Sequence, residues 1–211
     1  MICVEDFCNI VLKYISMSDI RVVFDIGSKD GKDAVIMHNR LEPKKTFAIE
    51  AYDKEYKLYS DVKNNEIVWI NQLIYNYNGE SKFYPKEIGS GIHSIRNRGD
   101  EYGKKCLTLP CKRMDTLCIE LGIEYIDVAK IDVEGCTYEC LESFGNMLQN
   151  IKVMHIETES IQFFEGQYLH SDVCKLLLKQ FKIVKISESI ISKILNGFQY
   201  DSIWINRKIN K

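Results

Sequence analysis

Apolar positions change their spacing several times along this chain, and each change predicts an element. Phe7, Ile10, Val11 and Tyr14 stand at i, i+3, i+4 and i+7, which predicts an amphipathic N-terminal helix within residues 1–17. Ser16 to Asp19 breaks that pattern. Arg21 to Gly27 is a short apolar run closed by Asp25 and Gly27, as in a parallel strand buried on both faces. Lys32 to Arg40 predicts a helix, and Thr46 to Glu50 a second strand. Tyr52, Tyr56, Tyr59 and Lys63 predict a helix with an aromatic face, and Ile67 to Ile70 a third strand. The order β-α-β-α-β implies a parallel sheet with right-handed crossovers.

Residues 76–111 leave this rhythm. Asn78-Gly79 is a turn between short β-like runs, one of them Lys82 to Tyr84, while Gly89 to Gly91 and Arg96 to Gly103 read as loop. The segment is expected to be an insertion that covers the functional site. Alternation then returns. Asp115 to Leu121 predicts a helix stopped by Gly122, Tyr125 to Ile131 a strand, Thr137 to Phe144 a helix and Lys152 to Ile156 a strand. Ser171 to Gln180 predicts a helix burying Val173, Leu176 and Leu177, followed by strands at Phe181 to Ile186 and Ser202 to Ile205. The whole of 1–211 is expected to form one domain, without internal repeats.

Composition narrows the function classes. A net charge of −2 supplies no field that would draw the chain to nucleic acid or acidic membranes. The N-terminus has acidic Glu5 and Asp6 and no basic start, so it is not a secretory signal. No apolar run is long enough to span a bilayer. These features place the protein in the cytosol, where its eight cysteines are expected to be reduced. Cys136 and Cys140 lack partners at zinc spacing.

Three strand ends carry candidate chemistry. In Phe24-Asp25-Ile26-Gly27-Ser28-Lys29-Asp30-Gly31 a strand ends, glycine turns the chain, and a helix begins. Glycine lets backbone approach a ligand closely, and G-x-x-x-G is sparser than the G-x-G-x-x-G that suits a pyrophosphate. Glu50 ends the next strand, where an acid can accept hydrogen bonds from a ribose diol. Ala51-Tyr52 follows, with a ring placed to cover a ligand. In Val128-Ala-Lys-Ile-Asp132-Val-Glu134-Gly135 another strand runs into two acids, which would flank a reacting group at the carboxyl edge of the sheet. Asp132 at that position also suits a helix cap.

The pieces DIGSKDG (25–31), FAIEAY (47–52) and KIDVEGCTYECLESF (130–144), with the closing DSIWINR (201–207), resemble the FkbM family of methyltransferases. The resemblance runs from about residue 21 to 207. It implies an α/β fold of the Rossmann-like class I methyltransferase type, a seven-stranded mostly parallel sheet with flanking helices and a small β-like insertion. It also implies S-adenosylmethionine as cofactor, S-adenosylhomocysteine as product, and methyl transfer to a hydroxyl of a sugar, glycan or related small molecule. Gly27 and Gly31 would then lie against the methionine part, Asp25 and Ser28 would also bind the cofactor, and Glu50 would hold the ribose. Asn71 or Gln72 would sit near the adenine, and Asp132 would face the methionine amino group or the acceptor.

Aligning acceptor oxygen, methyl and sulfur is the main catalytic demand, and a base assists loss of the hydroxyl proton. Asp132, Glu134, His155 and Glu157 are the candidates, with His93 in a loop that can swing over the acceptor. Alternation puts His155, Glu157 and Glu159 on one face of a strand. Asp132 and Glu157, with Glu134 and Glu159 nearby, are also of a type that holds Mg²⁺; the expectation is catalysis without a metal. Phe163, Phe164, Tyr168 and Trp204 are of a kind to stack on a sugar ring. Two other readings share the strand, glycine turn and acidic strand end: an NAD-dependent oxidoreductase or epimerase, and a non-catalytic nucleoside-binding module. Oligomeric state is not readable.

Overall fold

The computed structural model describes residues 1–59, 66–99, 105–193 and 196–209. In chain order its elements are α1 Val4–Val11, β1 Val22–Ile26, α2 Lys32–Leu41, β2 Lys45–Glu50, α3 Asp53–Tyr59, β3 Ile67–Asn71, β4 Leu73–Ile74 and β5 Gly79–Phe83. They continue as β6 Leu107–Lys112, α4 Met114–Leu121, β7 Ile126–Ile131, α5 Thr137–Glu142, β8 Ile151–Glu159, α6 His170–Leu177, β9 Phe181–Ser192 and β10 Gly197–Asn206.

Seven strands form the main sheet in the order β3-β2-β1-β7-β8-β10-β9. Neighbours from β3 to β8 run parallel, and β10 is antiparallel to both β8 and β9. This is the seven-stranded, mostly parallel sheet that the family resemblance implied, and its β1-to-β3 half is the parallel arrangement that the alternation implied. Strand side chains alternate between faces. Phe24, Ile131, Met154 and Trp204 turn to the layer holding α4, α5 and α6. Val23, Val128, Val153 and Ile203 turn to α1 and α2. The strand order reverses direction between β1 and β7, and in open α/β sheets ligands bind outside the carboxyl ends of strands at that switch.

A second sheet, β4-β6-β5, packs beside it around Tyr52, Leu73, Phe83 and Cys111. Its strand β6 fell inside the stretch read as insertion, because Pro110 interrupts an apolar pattern only six residues long. The aromatic face expected on α3 is only partly described: Tyr52 precedes the helix, Tyr56 is half-buried, Glu55 is fully buried, and the side chain of Tyr59 lies outside the described residues. Lys63 and residues 100–103, read as helix and loop, lie outside the described residues. Strands β8, β9 and β10 extend beyond their expected limits, and Leu176 is half-buried rather than buried. Trp204 is core, its indole N–H donating to Ser202 Oγ at 2.8 Å, so it is not a sugar platform. Among the described residues no helix is long and apolar enough to cross a membrane.

Candidate active site

The turn after β1 is built by backbone crowding. Gly27 has φ +82°, and a Cβ there would stand 1.9 Å from the Asp132 carbonyl oxygen. The Gly27 and Ser28 N–H groups both donate to the Ile49 carbonyl, at 3.0 and 2.9 Å. Gly27 therefore sits where β1, β2 and β7 end together. Gly31 serves packing instead: it opens α2 at φ +68°, and a Cβ would strike the Trp69 ring at 1.9 Å. Asp25 and Ser28 are buried beneath the turn, and neither Asp25 oxygen nor Ser28 Oγ has a hydrogen-bond partner. Burial pushes the Asp25 carboxyl up to about 7, against the pull of Lys130.

Glu50 faces this turn. Its two oxygens accept from the Lys29 N–H at 2.9 Å and the Tyr52 N–H at 2.8 Å. An ionised carboxylate offers about four lone-pair sites, so about two stay available to a ligand. Burial raises its pKa, while the Tyr52 and Lys29 N–H groups oppose the rise. Asn71 donates to the carbonyls of Glu50 and Ala51, at 2.9 and 3.2 Å, and so braces the strand end. Gln72 donates to Pro110 O at 3.0 Å. Gly27, Glu50, Ala51, Gln72, Asp132 and Glu134 line one crevice over an apolar floor of Ile26, Ile49, Ile74 and Val133. Ser28, Gly31, Tyr52 and Asn71 are not part of that lining.

Among the described residues between β5 and β6, Gly91, His93, Ser94 and Ile95 form a roof over the crevice. Glu55 anchors this roof from α3. It accepts from the Gly89 N–H at 2.5 Å and from His93 Nε2 at 3.1 Å. The Lys86 N–H donates to His93 Nδ1 at 2.8 Å, so the ring proton is on Nε2. His93 also packs on Tyr52 with ring centroids 4.8 Å apart. Burial lowers the His93 pKa, with Glu55 opposing. Both ring nitrogens are thus committed to holding the roof.

The partly open crevice holds about 60 Å³, whereas an apolar cavity that takes up benzene measures about 150 Å³. A nucleoside is expected to need movement of the roof. Hydrogen bonds to a charged group contribute about 1.5–3 kcal/mol each, and about 1.4 kcal/mol is tenfold in rate or affinity. Glu55→Ala is therefore expected to raise the dissociation rate of adenosylhomocysteine roughly 10- to 100-fold in stopped-flow measurements. An unchanged rate would mean that the Glu55–His93 contact does not govern the roof.

Carboxylates gather beyond the roof. One oxygen each from Asp132, Glu134 and Glu157 lies within 4.8 Å of the others, a grouping that could hold a metal ion. Burial, then Asp132 and Glu159, push the Glu134 carboxyl up to about 8. Burial and the carboxylates of Asp132, Glu134, Glu159 and Asp201 raise Glu157 in the same direction. Glu159 accepts from Gln167 Nε2 at 2.5 Å. The Arg98 guanidinium lies over the Phe163 and Phe164 rings, 5.5 and 5.2 Å from their centroids. Tyr168 stacks on Tyr138 at 4.1 Å.

His155 takes a different place from the one expected. It is 4% exposed, packs against Phe7 of α1 at 5.2 Å, and points Nε2 at Asp201 Oδ1, 3.4 Å away. It shares a crevice with Glu157 and the α1 side of Asp132, apart from the one that holds Gly27 and Glu50. Glu55 and Lys130 escaped the sequence reading. Lys130 stood inside the quoted motif, yet nothing local marked its partners.

Comparison with known proteins agrees with this architecture. The Methyltransferase FkbM domain profile matches residues 25–183. The 2-O-methyltransferase NoeI of Sinorhizobium fredii is 20% identical over 206 residues, covering 89% of this chain and 80% of NoeI. Among solved structures, M. capricolum TrmK in complex with S-adenosylhomocysteine superposes with a TM-score of 0.50 at 14% identity, covering 97% of this chain and 70% of TrmK. Streptococcus pneumoniae Sp1610, a putative tRNA (m1A22) methyltransferase, gives 0.50 at 14% identity, covering 100% of this chain and 73% of Sp1610. These two likenesses concern the fold. The profile match spans most of the chain and decides against the oxidoreductase reading: the chain belongs to the FkbM family of S-adenosylmethionine-dependent methyltransferases.

Proposed function

We propose that this methyltransferase moves the methyl group of S-adenosylmethionine to a hydroxyl oxygen of a sugar, a glycan or a related small molecule. The observation that carries the reading is the convergence of Asp132, Glu134 and Glu157 within 4.8 Å at the strand ends beside the crevice. An aliphatic hydroxyl gives up its proton late in the reaction, and a carboxylate in reach takes it as the new bond forms.

The chain's residues fit the adenosyl group. Glu50 accepts the ribose hydroxyls through its remaining lone pairs. Ile49 and Ile74 form an apolar bed for the purine, and Gln72 meets its edge. Asp132 faces the methionine ammonium. Gly27 keeps β1 and β7 close enough for Glu50 and Asp132 to address one ligand, with Asp25, Ser28, Gly31, Tyr52 and Asn71 acting from behind. Bound there, S-adenosylmethionine would supply an electrophilic methyl group and would depart as neutral S-adenosylhomocysteine, the new O–C bond replacing the old C–S bond, while Glu134 would take the hydroxyl proton. Alignment of the three atoms supplies most of the acceleration.

The chain's net charge of −2 supports a small acceptor over a nucleic acid, because it offers no attraction for a phosphate backbone. NoeI, similar over most of both chains, is by its name a 2-O-methyltransferase, which supports oxygen as the receiving atom. All eight cysteines are free thiols, which suits a cytosolic location.

The test is transfer from methyl-labelled cofactor to a panel of free sugars, oligosaccharides and tRNA, with products identified by mass spectrometry. Label on a carbohydrate hydroxyl is expected, and label confined to tRNA would overturn the acceptor assignment. Turnover is expected to persist in excess EDTA. Its loss, with recovery on adding Mg²⁺, would show that the carboxylates act through a cation.

A further inference from the structure

Lys130 lies in the interior of β7, in register with Asp25 of β1 and His155 of β8. Its side chain is 10% exposed. An ammonium is buried only when it is paired, and here three carboxylates from three elements meet it. Nζ stands 2.9 Å from Asp132 Oδ2, 3.2 Å from Asp33 Oδ2 in the first turn of α2, and 4.0 Å from Asp25 Oδ1. Burial alone works against the ammonium, but Asp132, Asp25 and Asp33 together raise its pKa, so it stays charged.

One positive charge set against Asp132, Asp33 and a partly ionised Asp25 leaves the cluster negative. Lys130 occupies Oδ2 of Asp132, which leaves Oδ1 for a ligand. That ligand meets an excess of negative charge, which favours a cation. Lys130 also ties together β1, β7 and α2, the three elements around the turn at residues 27–31. A carboxylate held by a buried ammonium has one orientation, and ordering it in advance spares the ligand that entropy.

We propose that Lys130 is a positioning residue, which orients Asp132 to receive the α-ammonium of the cofactor's methionine moiety. This rests on the assignment of the Glu50 crevice to the adenosyl group. Lys130 touches no ligand itself; it acts through Asp132 and through the turn that Asp25 and Asp33 support.

The test compares two nucleosides by calorimetry. Adenosylhomocysteine carries the amino-acid tail, and 5′-methylthioadenosine has the same adenosyl thioether without it. In Lys130→Met, adenosylhomocysteine is expected to bind at least tenfold more weakly while methylthioadenosine binds as in the wild type. Lys130→Arg, which keeps the charge, should restore most of the loss. Removing one partner of a buried charge cluster endangers folding. The double substitution Asp25→Asn with Lys130→Met also removes the stranded carboxylate and is expected to show the same selective loss. Equal weakening of both nucleosides, or an unchanged adenosylhomocysteine affinity, would overturn the proposal with the cofactor assignment intact. A wild-type protein that binds neither would overturn both.

Discussion

Gly27→Ala is expected to lower the melting temperature by about 10 °C and to abolish adenosylhomocysteine binding. A non-glycine residue in the left-handed region costs roughly 1–2 kcal/mol, and overpacking adds about 1–3 kcal/mol. In a chain of this size each kcal/mol shifts the midpoint by about 2–4 °C. The clash has no easy escape. A new methyl would stand 1.9 Å from the Asp132 carbonyl oxygen. Asp132 N–H in turn donates to Ile26 O at 2.9 Å, and Gly27 N–H to Ile49 O at 3.0 Å. Retreat from the methyl therefore breaks the ladder on one side or the other. Gly122→Ala is the control, since Gly122 has φ +66° with no atom within 4 Å of the added methyl. It should cost only the conformational part, about 1 kcal/mol. If the two variants melt together, the close approach of β1 and β7 is not what glycine at position 27 serves.

Most of the architecture was written in local patterns. Apolar runs two to three strands deep in a parallel sheet announce themselves, and β1, β2, β3 and β7 stand within a residue or two of their expected limits. The hairpin of β9 and β10 was cut short in the reading because its outer half carries Ser187, Glu188, Gln199 and Asp201, which break the apolar run. Strand ends were equally legible, because glycine turns and terminal acids are local features. Glu50 indeed faces the 27–31 turn through the Lys29 N–H.

What stayed hidden was non-local compensation. Glu55 reads as one more acid on a charged helix, and only the returning loop with Gly89 and His93 makes its burial affordable. Lys130 looks like an exception in an apolar strand until Asp25 and Asp33 arrive from β1 and α2. His155 was misplaced for a related reason. Alternation assigned its face correctly, but that face is covered by α1, whose position no strand pattern encodes.

Glu134→Gln is expected to reduce kcat by about 10²- to 10⁴-fold, the range for losing a general base, while adenosylhomocysteine affinity stays within about twofold. The carboxyl is built for proton transfer near neutrality. Burial with Asp132 and Glu159 holds its pKa at about 8, and Arg98 and Lys130 only partly offset them. Its backbone has φ +33°, a left-handed value that a side-chain-bearing residue adopts at a cost. The Ser94 hydroxyl holds that conformation by donating to the Glu134 carbonyl at 2.6 Å. Gly135 follows at φ +76°, with Phe164 where a Cβ would stand. Strain and burial at one residue are tolerated when the side chain must point at a reacting group. Since the base must be ionised to accept a proton, wild-type kcat should climb as pH rises through about 8, and the glutamine variant should lose that limb. Glutamine has the shape of the neutral carboxyl that prevails below about pH 8, so at neutral pH the variant should melt no lower than the wild type. A full kcat would move the base to Asp132 or Glu157. A fall in cofactor affinity matching the fall in kcat would make Glu134 a binding group instead.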